Sequence, residues 1–370
     1  MKFSIQRNNL LDALQKIIPV VPPRSTVAIT MNILLEAEGD ELILSATDLE
    51  ITLSARVKAN VIENGKLAVP GKLFHEVIRE LPDTEIYFEG MPNFRLLMST
   101  DFGEYKLAGE DPERFPRKPT LEAGVELALP NDVFRTLIER TIFAASTDDL
   151  RPALTGVYFE IQQGTVRAVA TDGHSLSFME ATNVPYEGEP LEAIFSRQGL
   201  NVILRNLAPE GNCSIVLGQQ HAYLKFDESE MYLRLIDGKF IDYNRVIPKE
   251  TKFEALMDTD QFASAVKRVA LFTHPLSLQV VLEIKRDSME IRAEDIEIGG
   301  AARERIPCEF TGEDFIIGFN AKFLQDAIKH ITSAQTVLKV NETSTPAIFQ
   351  PAEIEEGYNQ LILIMPVRLG

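Results

Sequence analysis

ILLEAEGDELILSATD at residues 33–48 returns as GVYFEIQQGTVRAVATD at 156–172 and again as VVLEIKRDSMEIRAED at 280–295. In each stretch apolar side chains alternate with polar ones on both sides of a short polar break, the period of a strand with one buried face. Each reads as a β-hairpin, with Gly39, Gly164 and Asp287 near the turn. Ala46-Thr47-Asp48 closes the first copy, Ala170-Thr171-Asp172 the second and, more loosely, Ala293-Glu294-Asp295 the third, at spacings of 124 and 123 residues.

Upstream of every hairpin lies a segment with helical period: RNNLLDALQKI from Arg7, NDVFRTLIERTIFAA from Asn131 and TDQFASAVKRVALF from Thr259. Asn131 and Thr259 are expected to cap the second and third of these by accepting backbone N–H bonds. A second helical segment follows each hairpin: PGKLFHEVIREL from Pro70, SRQGLNVILRNL from Ser196 and NAKFLQDAIKHI from Asn320, with starts 126 and 124 residues apart. Two further strands then appear in each copy, EIYFEG with FRLLMS, CSIVLG with AYLKF, and TVLKVN with PAIFQ. Three anchors that keep register over two repeats are more than an arbitrary α+β chain shows. The expected fold is α+β, three repeated domains spanning 1–123, 124–251 and 252–370, each with two amphipathic helices packed on β-sheet.

A chain of 370 residues with 45% hydrophobic and 25% charged residues fits that picture of several ordinary globular domains. The N-terminal MKFSIQRNNLLDALQKI interrupts its apolar residues with Gln, Arg, Asn and Asp, unlike a secretory leader. The longest apolar run, LILIMPV at 361–367, is too short to span a bilayer. Cys213 and Cys308, with no CxxC spacing, suit a reducing compartment and read as small buried hydrophobes. A cytoplasmic location is expected.

The formal charge of −18 argues at first against nucleic acid as a partner. The charge is unevenly spread, however. The six helical windows hold twelve basic residues against seven acidic ones, so the strands and loops are more negative than the chain as a whole. Lys72 with Arg79, and Lys322 with Lys329, stand seven residues apart in equivalent helices, which puts each pair within about 20° on one face. Taken singly such a stripe is a solvated helix face; recurring at equivalent places, it would attract phosphates if the helices line one side of a closed assembly. Arg135, Arg205 and Lys267 extend the set. No recognition helix, zinc-finger spacing or basic-aromatic interleaving is present, so the contact implied is sequence-blind.

The catalytic motifs fail on inspection. Asp172, Gly173, His174 and Ser175 hold triad-type side chains, but adjacent residues rarely reach triad geometry and no GxSxG elbow exists; a turn is the simpler reading. Gly65 and Gly71-Lys72 lack phosphate-loop spacing, and Leu73 stands where Ser or Thr would hold magnesium. His75, His174, His221, His274 and His330 form no metal-ligand pattern. No catalytic residue, metal or cofactor is expected.

Read together, MKFSIQRNNLLDALQKI, TDLEITL, RPALTGVYFEI, VATDGHSL, LIDGKFIDYNRVIP, IGFNAKFLQDAI and the terminal MPVRL make the whole chain resemble the bacterial DNA polymerase III beta subunit, or beta sliding clamp, family. The resemblance implies a head-to-tail homodimeric ring around double-stranded DNA, helices lining the pore and strands outside, with no chemistry of its own. It implies a cleft between the second and third domains that takes peptide segments with Gln, Leu and Phe from the replicative polymerase, the clamp loader and other clamp-motif proteins. The matching cleft positions are Leu154, Thr171, Gly173, His174, Leu176, Ile241, Arg245, Val246, Asn320, Phe323, Leu363, Met365, Pro366, Val367, Arg368 and Leu369. A plainer role for that tail is an edge strand completing the third domain. Arg24 and Arg197 match DNA-facing positions; Tyr105 and Leu107 match subunit contacts that meet the partner's third domain near Leu271 and Phe272. Ser175 stands where the family commonly has Arg, Ile241 where it often has Pro and Phe323 where Tyr is frequent, which removes hydrogen-bonding groups from the cleft. Pro152 and Ala153 replace aromatic residues that can touch DNA. Two other readings stay open: a scaffold or specialised clamp paralogue that does not load on DNA, and an acid/base hydrolase.

Overall fold

A computed structural model describes residues 1–120, 123–297 and 299–369; Gly370, the expected end of the third repeat, lies outside the described residues. The helical segments become α1 (Arg7–Ile17), α2 (Gly71–Glu80), α3 (Asn131–Glu139), α4 (Arg197–Asn206), α5 (Thr259–Val269) and α6 (Ala321–Lys329). Their apolar stripes are buried: Leu10, Leu14 and Ile17 on α1, Phe74 and Ile78 on α2, Phe262, Val266 and Val269 on α5, Leu324 and Ile328 on α6. The first helices of the second and third repeats stop earlier than their periodicity suggests, passing into 3₁₀ turns at Ile142–Ala144 and Ala270–Phe272. Just past α3 the Thr141 hydroxyl donates to the Leu137 carbonyl at 2.6 Å, occupying an acceptor that the helix end leaves open.

Both expected caps are corrected. The residue that caps α5 is Asp258, whose carboxylate accepts from Gln261 N at 2.8 Å; the Thr259 hydroxyl turns away to the Ser333 carbonyl and the Thr336 hydroxyl. Asn131 donates its amide to the Glu210 carbonyl at 2.8 Å, and its buried Oδ1 has no partner among the described residues. In both cases the side chain is oriented by a tertiary acceptor, and its oxygen does not take the helix N–H.

The repeated hairpins form in register, Asn32–Glu38 with Glu41–Thr47, Gly156–Gln162 with Thr165–Thr171, and Gln279–Lys285 with Ser288–Asp295. The closing Asp has a clear purpose. Asp48 Oδ1 accepts from Glu50 N and Ile51 N, Asp172 Oδ1 from His174 N and Ser175 N, and Asp295 Oδ1 from Glu297 N, so each copy ends in an Asp-stabilised turn. The preceding Thr47 and Thr171 hydroxyls close the same turns onto the Ile51 and Ser175 carbonyls. The turn needs a left-handed residue, which Gly173 supplies at φ 90° without strain and Leu49 supplies at φ 82° against its Cβ.

Each hairpin continues into a third strand, at Ile51–Lys58, Ser175–Thr182 and Gly300–Pro307. In the first two copies that strand is completed by the last strand of the following repeat: Ser229–Arg234 pairs with Ile51–Lys58, and Tyr358–Ile364 with Ser175–Thr182. The C-terminal strand is therefore not an edge, since Ala347–Pro351 flanks it on its other side. The chain forms two compact units, Met1–Asp132 with Gln198–Leu235, and Val133–Arg197 with Ile236–Gly370. The first holds a five-stranded sheet, which Gly103–Ala108 ends, and an eight-stranded sheet; the second holds a nine-stranded sheet and a four-stranded sheet, which Gly300–Pro307 ends. No helix among the described residues is long and apolar enough to cross a membrane.

Candidate peptide-binding cleft and DNA-facing cations

All the cleft positions expected from the sequence fall in the second unit. Leu154, Leu176 and Leu363 are buried in one apolar cluster with Val169, Phe178, Ile194, Phe240, Tyr243, Ile348 and Leu361, and Met365 packs against it. The Asp172 turn sets the cleft's edge. Its backbone presents His174, whose ring lies parallel to Phe323 with centroids 6.0 Å apart, and the His174 carbonyl accepts from Met365 N at 2.8 Å. Beyond Met365 the tail runs along strand Phe315–Asn320, with Val367 N on the Gly318 carbonyl at 2.9 Å and Gln279 Nε2 on the Arg368 carbonyl at 3.3 Å. Gly318 gives the tail room there, because a Cβ would meet the Leu369 side chain at 2.8 Å and that of Val367 at 3.2 Å and the tail would have to shift. Asn320 caps α6 by accepting from Lys322 N at 2.9 Å, which directs its amide oxygen to the helix.

On the opposite lip Ile241 and Val246 are exposed, and Arg245 pairs with Asp242 at 2.8 Å. Thr171 is buried and committed to its turn. Ser175 is buried as well, its hydroxyl on Asp172 at 3.2 Å, so the residue at that position does not face the cleft. Asp172, His174 and Ser175 thus serve a turn, with the acid spent on backbone amides. Leu369 is 42% exposed and Phe323 half-buried, leaving apolar surface at the far end.

Phe240, Tyr243, Ile348 and Tyr158 are among the members that sequence reasoning missed, with Val169, Phe178, Ile194 and Leu361. The first two were findable: Phe240, Tyr243 and Ile247 recur at helical spacing in a segment too short for a helix, the mark of a chain pinned across a sheet. Ile348 carries no such signal, because it belongs to a strand remote in sequence.

The expected DNA-facing cations divide into two kinds. Arg24, Lys72, Arg197, Arg205, Lys267, Lys322 and Lys329 are exposed. Arg135 is half-buried beside Glu139 at 3.9 Å, and Arg79 pairs with Glu80 at 2.9 Å. Three other helix cations are structural. Arg7 donates to the Ile78 carbonyl at 2.9 Å, Arg140 to the His330 carbonyl at 2.6 Å, and Arg268 forms two hydrogen bonds to Glu304. Of the expected subunit contacts, Leu271 is 79% and Phe272 40% exposed, whereas Leu107 is only 6% exposed and turned into its own domain. Tyr105 is half-buried on the same strand. No cluster of metal-ligating side chains occurs among the described residues.

The chain matches three family models in succession: the N-terminal domain of the DNA polymerase III beta subunit over residues 1–119, its central domain over 128–242 and its C-terminal domain over 244–368. A beta sliding clamp of Pseudomonas putida is 32% identical over the full length of both chains, and that of Bacillus subtilis 26%. Among solved structures, a DnaN sliding clamp of Pseudomonas aeruginosa bound to griselimycin superposes with a TM-score of 0.94 at 30% identity, covering all of both chains. The Bacillus subtilis clamp superposes equally well, with a TM-score of 0.94 at 25% identity and full coverage. A repeat that recurs three times, two helices per repeat and end-to-end agreement with these proteins lead to one conclusion: the chain belongs to the DNA polymerase III beta subunit family, the beta sliding clamps.

Proposed function

We propose that this clamp works as a head-to-tail homodimeric ring of two three-domain protomers, with boundaries near residues 123 and 251, closed around double-stranded DNA. As a member of its family it is a DNA polymerase processivity factor and a non-catalytic subunit. One observation carries the ring. The third strand of the hairpin in repeats one and two is covered by the last strand of the next repeat, while the equivalent strand of repeat three, Gly300–Pro307, ends its sheet. The last strand of repeat one, Gly103–Ala108, also ends its sheet. A second protomer supplying its Gly103–Ala108 to this Gly300–Pro307 repeats the same pairing twice and covers both of these edges. Apolar side chains support it: Phe143, at the end of the α3 segment, stacks on His330 of repeat three at 4.0 Å, whereas Leu271, at the end of the α5 segment, has no following repeat and stays exposed. In this pairing the backbone of the Tyr105–Leu107 strand makes the seam, and the Leu107 side chain stays inside.

The exposed cations at Arg24, Lys72, Arg197, Arg205, Lys267, Lys322 and Lys329 face phosphates in the pore, and Arg79 and Arg135 contribute less because each is engaged by a carboxylate. The cleft along Leu176, His174, Phe323, Met365 and Val367 holds peptide tails of the polymerase, the clamp loader and other clamp-motif proteins. A replication role places the protein in the cytoplasm. The test combines mass and topology. A species near twice 41.4 kDa in solution that, once loaded, stays on nicked circular DNA but leaves linear DNA supports the ring. A stable monomer, or equal retention on both DNAs, refutes it.

A further inference from the structure

We propose that Tyr243 is the positioning residue of the cleft: its hydroxyl, bound to Glu160, latches the lip that carries Ile241, Arg245 and Val246. The inference rests on the cleft reading above and adds a residue to it. Between Ile241 and Val246 only Tyr243 is buried; Ile241, Asp242, Asn244, Arg245 and Val246 are all exposed, so within the lip itself Tyr243 is the one anchor, between the flanking contacts of Phe240 and Ile247. The ring lies 5.9 Å from Phe178 and 6.3 Å from Tyr158, and the hydroxyl donates to Glu160 Oε2 at 2.6 Å. The acceptor is itself fixed. Glu160 Oε1 receives Gln162 Nε2 at 2.5 Å and lies 3.6 Å from Arg167, which is hydrogen-bonded to Glu180. A charged acceptor immobilised on a strand gives a stronger and more directional bond than a neutral one.

The latch reaches the cleft through the backbone. The Tyr243 carbonyl accepts from Val246 N at 3.0 Å and from Ile247 N at 3.3 Å, turning the chain so that Val246 emerges at the cleft. Any slack at Tyr243 is passed to Val246 and Arg245. Burial and the Glu160 carboxylate push the Tyr243 hydroxyl well above the ordinary phenol range, so it remains a donor at working pH.

Repeat one shows what the groove becomes without the latch. The equivalent cavity of about 290 Å³ is lined by Leu34, Ser45, Thr52, Lys66, Phe115 and Lys118. Glu36 holds the place of Glu160 but pairs with Lys66 at 2.5 Å, and the Lys118 that lines the same cavity pairs with Glu230 at 3.6 Å, so among the described residues no tyrosine hydroxyl is bound to the carboxylate there. Ser45 and Thr52 stand where the cleft has Val169 and Leu176. A floor with hydroxyls and without the tyrosine latch offers less apolar anchorage and preorganisation than the cleft.

The experiment uses the full-length protein and a fluorescein-labelled Gln-Leu-Ala-Leu-Phe peptide, read by anisotropy, with amide exchange measured over residues 241–247. Tyr243→Phe keeps the ring and removes the latch. It is expected to weaken binding five- to tenfold and speed exchange in the lip, with a melting temperature lowered by a few degrees and the fold retained. Glu160→Leu is expected to match it, Glu160→Gln to stay within threefold of wild type, and the double variant Tyr243→Phe with Glu160→Leu to lose no more than either single change. Wild-type binding by Tyr243→Phe, or losses that multiply in the double variant, overturns the latch while leaving the cleft in place. Failure of the wild-type protein to bind the peptide overturns the cleft reading, and the latch's role in binding falls with it.

Discussion

Replacing Asp172 by Ala removes the acceptor of three hydrogen bonds at once, from His174 N at 2.8 Å, Ser175 N at 2.7 Å and the Ser175 hydroxyl at 3.2 Å. Bonds to a charged acceptor contribute roughly 1.5–3 kcal/mol each, less where water can replace the acceptor. His174 N is at the surface and recovers most of its loss; Ser175, buried at 6% exposure, does not. A stability cost of about 2–3 kcal/mol follows, a shift of roughly 4–12 °C in the melting of a unit of this size at about 2–4 °C per kcal/mol. The turn also places the His174 carbonyl under Met365 N and the His174 ring beside Phe323, so peptide binding must re-order it. If half of the lost energy reappears there, affinity drops about tenfold, 1.4 kcal/mol. Repeat one supplies the control. Asp48 makes the same two backbone bonds, to Glu50 N at 2.9 Å and Ile51 N at 2.7 Å, with Gln198 Nε2 at 2.8 Å in place of the hydroxyl, and Asp48→Ala should lower stability similarly while leaving peptide affinity unchanged. Calorimetry at fixed protein concentration and peptide anisotropy measure both. Unchanged affinity in Asp172→Ala, or equal affinity losses in the two variants, would refute the reasoning.

Two further outcomes are expected. Arg24→Ala combined with Arg197→Ala should flatten the dependence of log K on log salt for duplex binding by about 2, at 0.9 per phosphate contact; a parallel salt titration with an unchanged slope would place these side chains away from DNA. His330 lies under Phe143, and burial, with Lys329 and Arg140 nearby, holds its imidazole below the ordinary value of 6.5. The unfolded chain then binds the proton more readily than the native one, so the contribution of this group to stability is complete above pH 6.5 and declines as pH falls toward the depressed native value. His330→Phe, which keeps the stack, should show a flatter melting temperature between pH 7.5 and 5.5 than wild type. His75, also depressed by burial, adds a slope of the same sign that remains in the variant. Identical pH profiles for the two proteins would exclude His330 as a source.

Local periodicity was enough to place α1, α2, α4 and α6 to within a residue or so, because each has an apolar stripe whose spacing admits one conformation. It was also enough for the hairpins and their Asp turns, whose bonds join residues two or three apart and so survive in any tertiary setting. The ends of α3 and α5 were overestimated, since the chain tightens into 3₁₀ turns there. The caps at Asn131 and Thr259 were misassigned because partners distant in sequence orient those side chains: Glu210 holds the Asn131 amide, and Ser333 and Thr336 hold the Thr259 hydroxyl.

Charge was legible only as a total for the helices. Whether a cation faces solvent or satisfies a carbonyl depends on what packs beside it, which separates Lys72 and Lys322 from Arg7 and Arg140. The repeat and its register were determined by the order of residues alone, because alternation and helical spacing are properties of neighbours. The cleft required the fold: Leu176, Phe240, Ile348 and Leu363 come from strands and a connecting segment far apart in the chain, and only the pairing of Tyr358–Ile364 with Ser175–Thr182 brings them to one surface. Strand order likewise leaves Gly300–Pro307 at an edge, paired on one side only, a property of backbone hydrogen bonds that no side-chain pattern encodes.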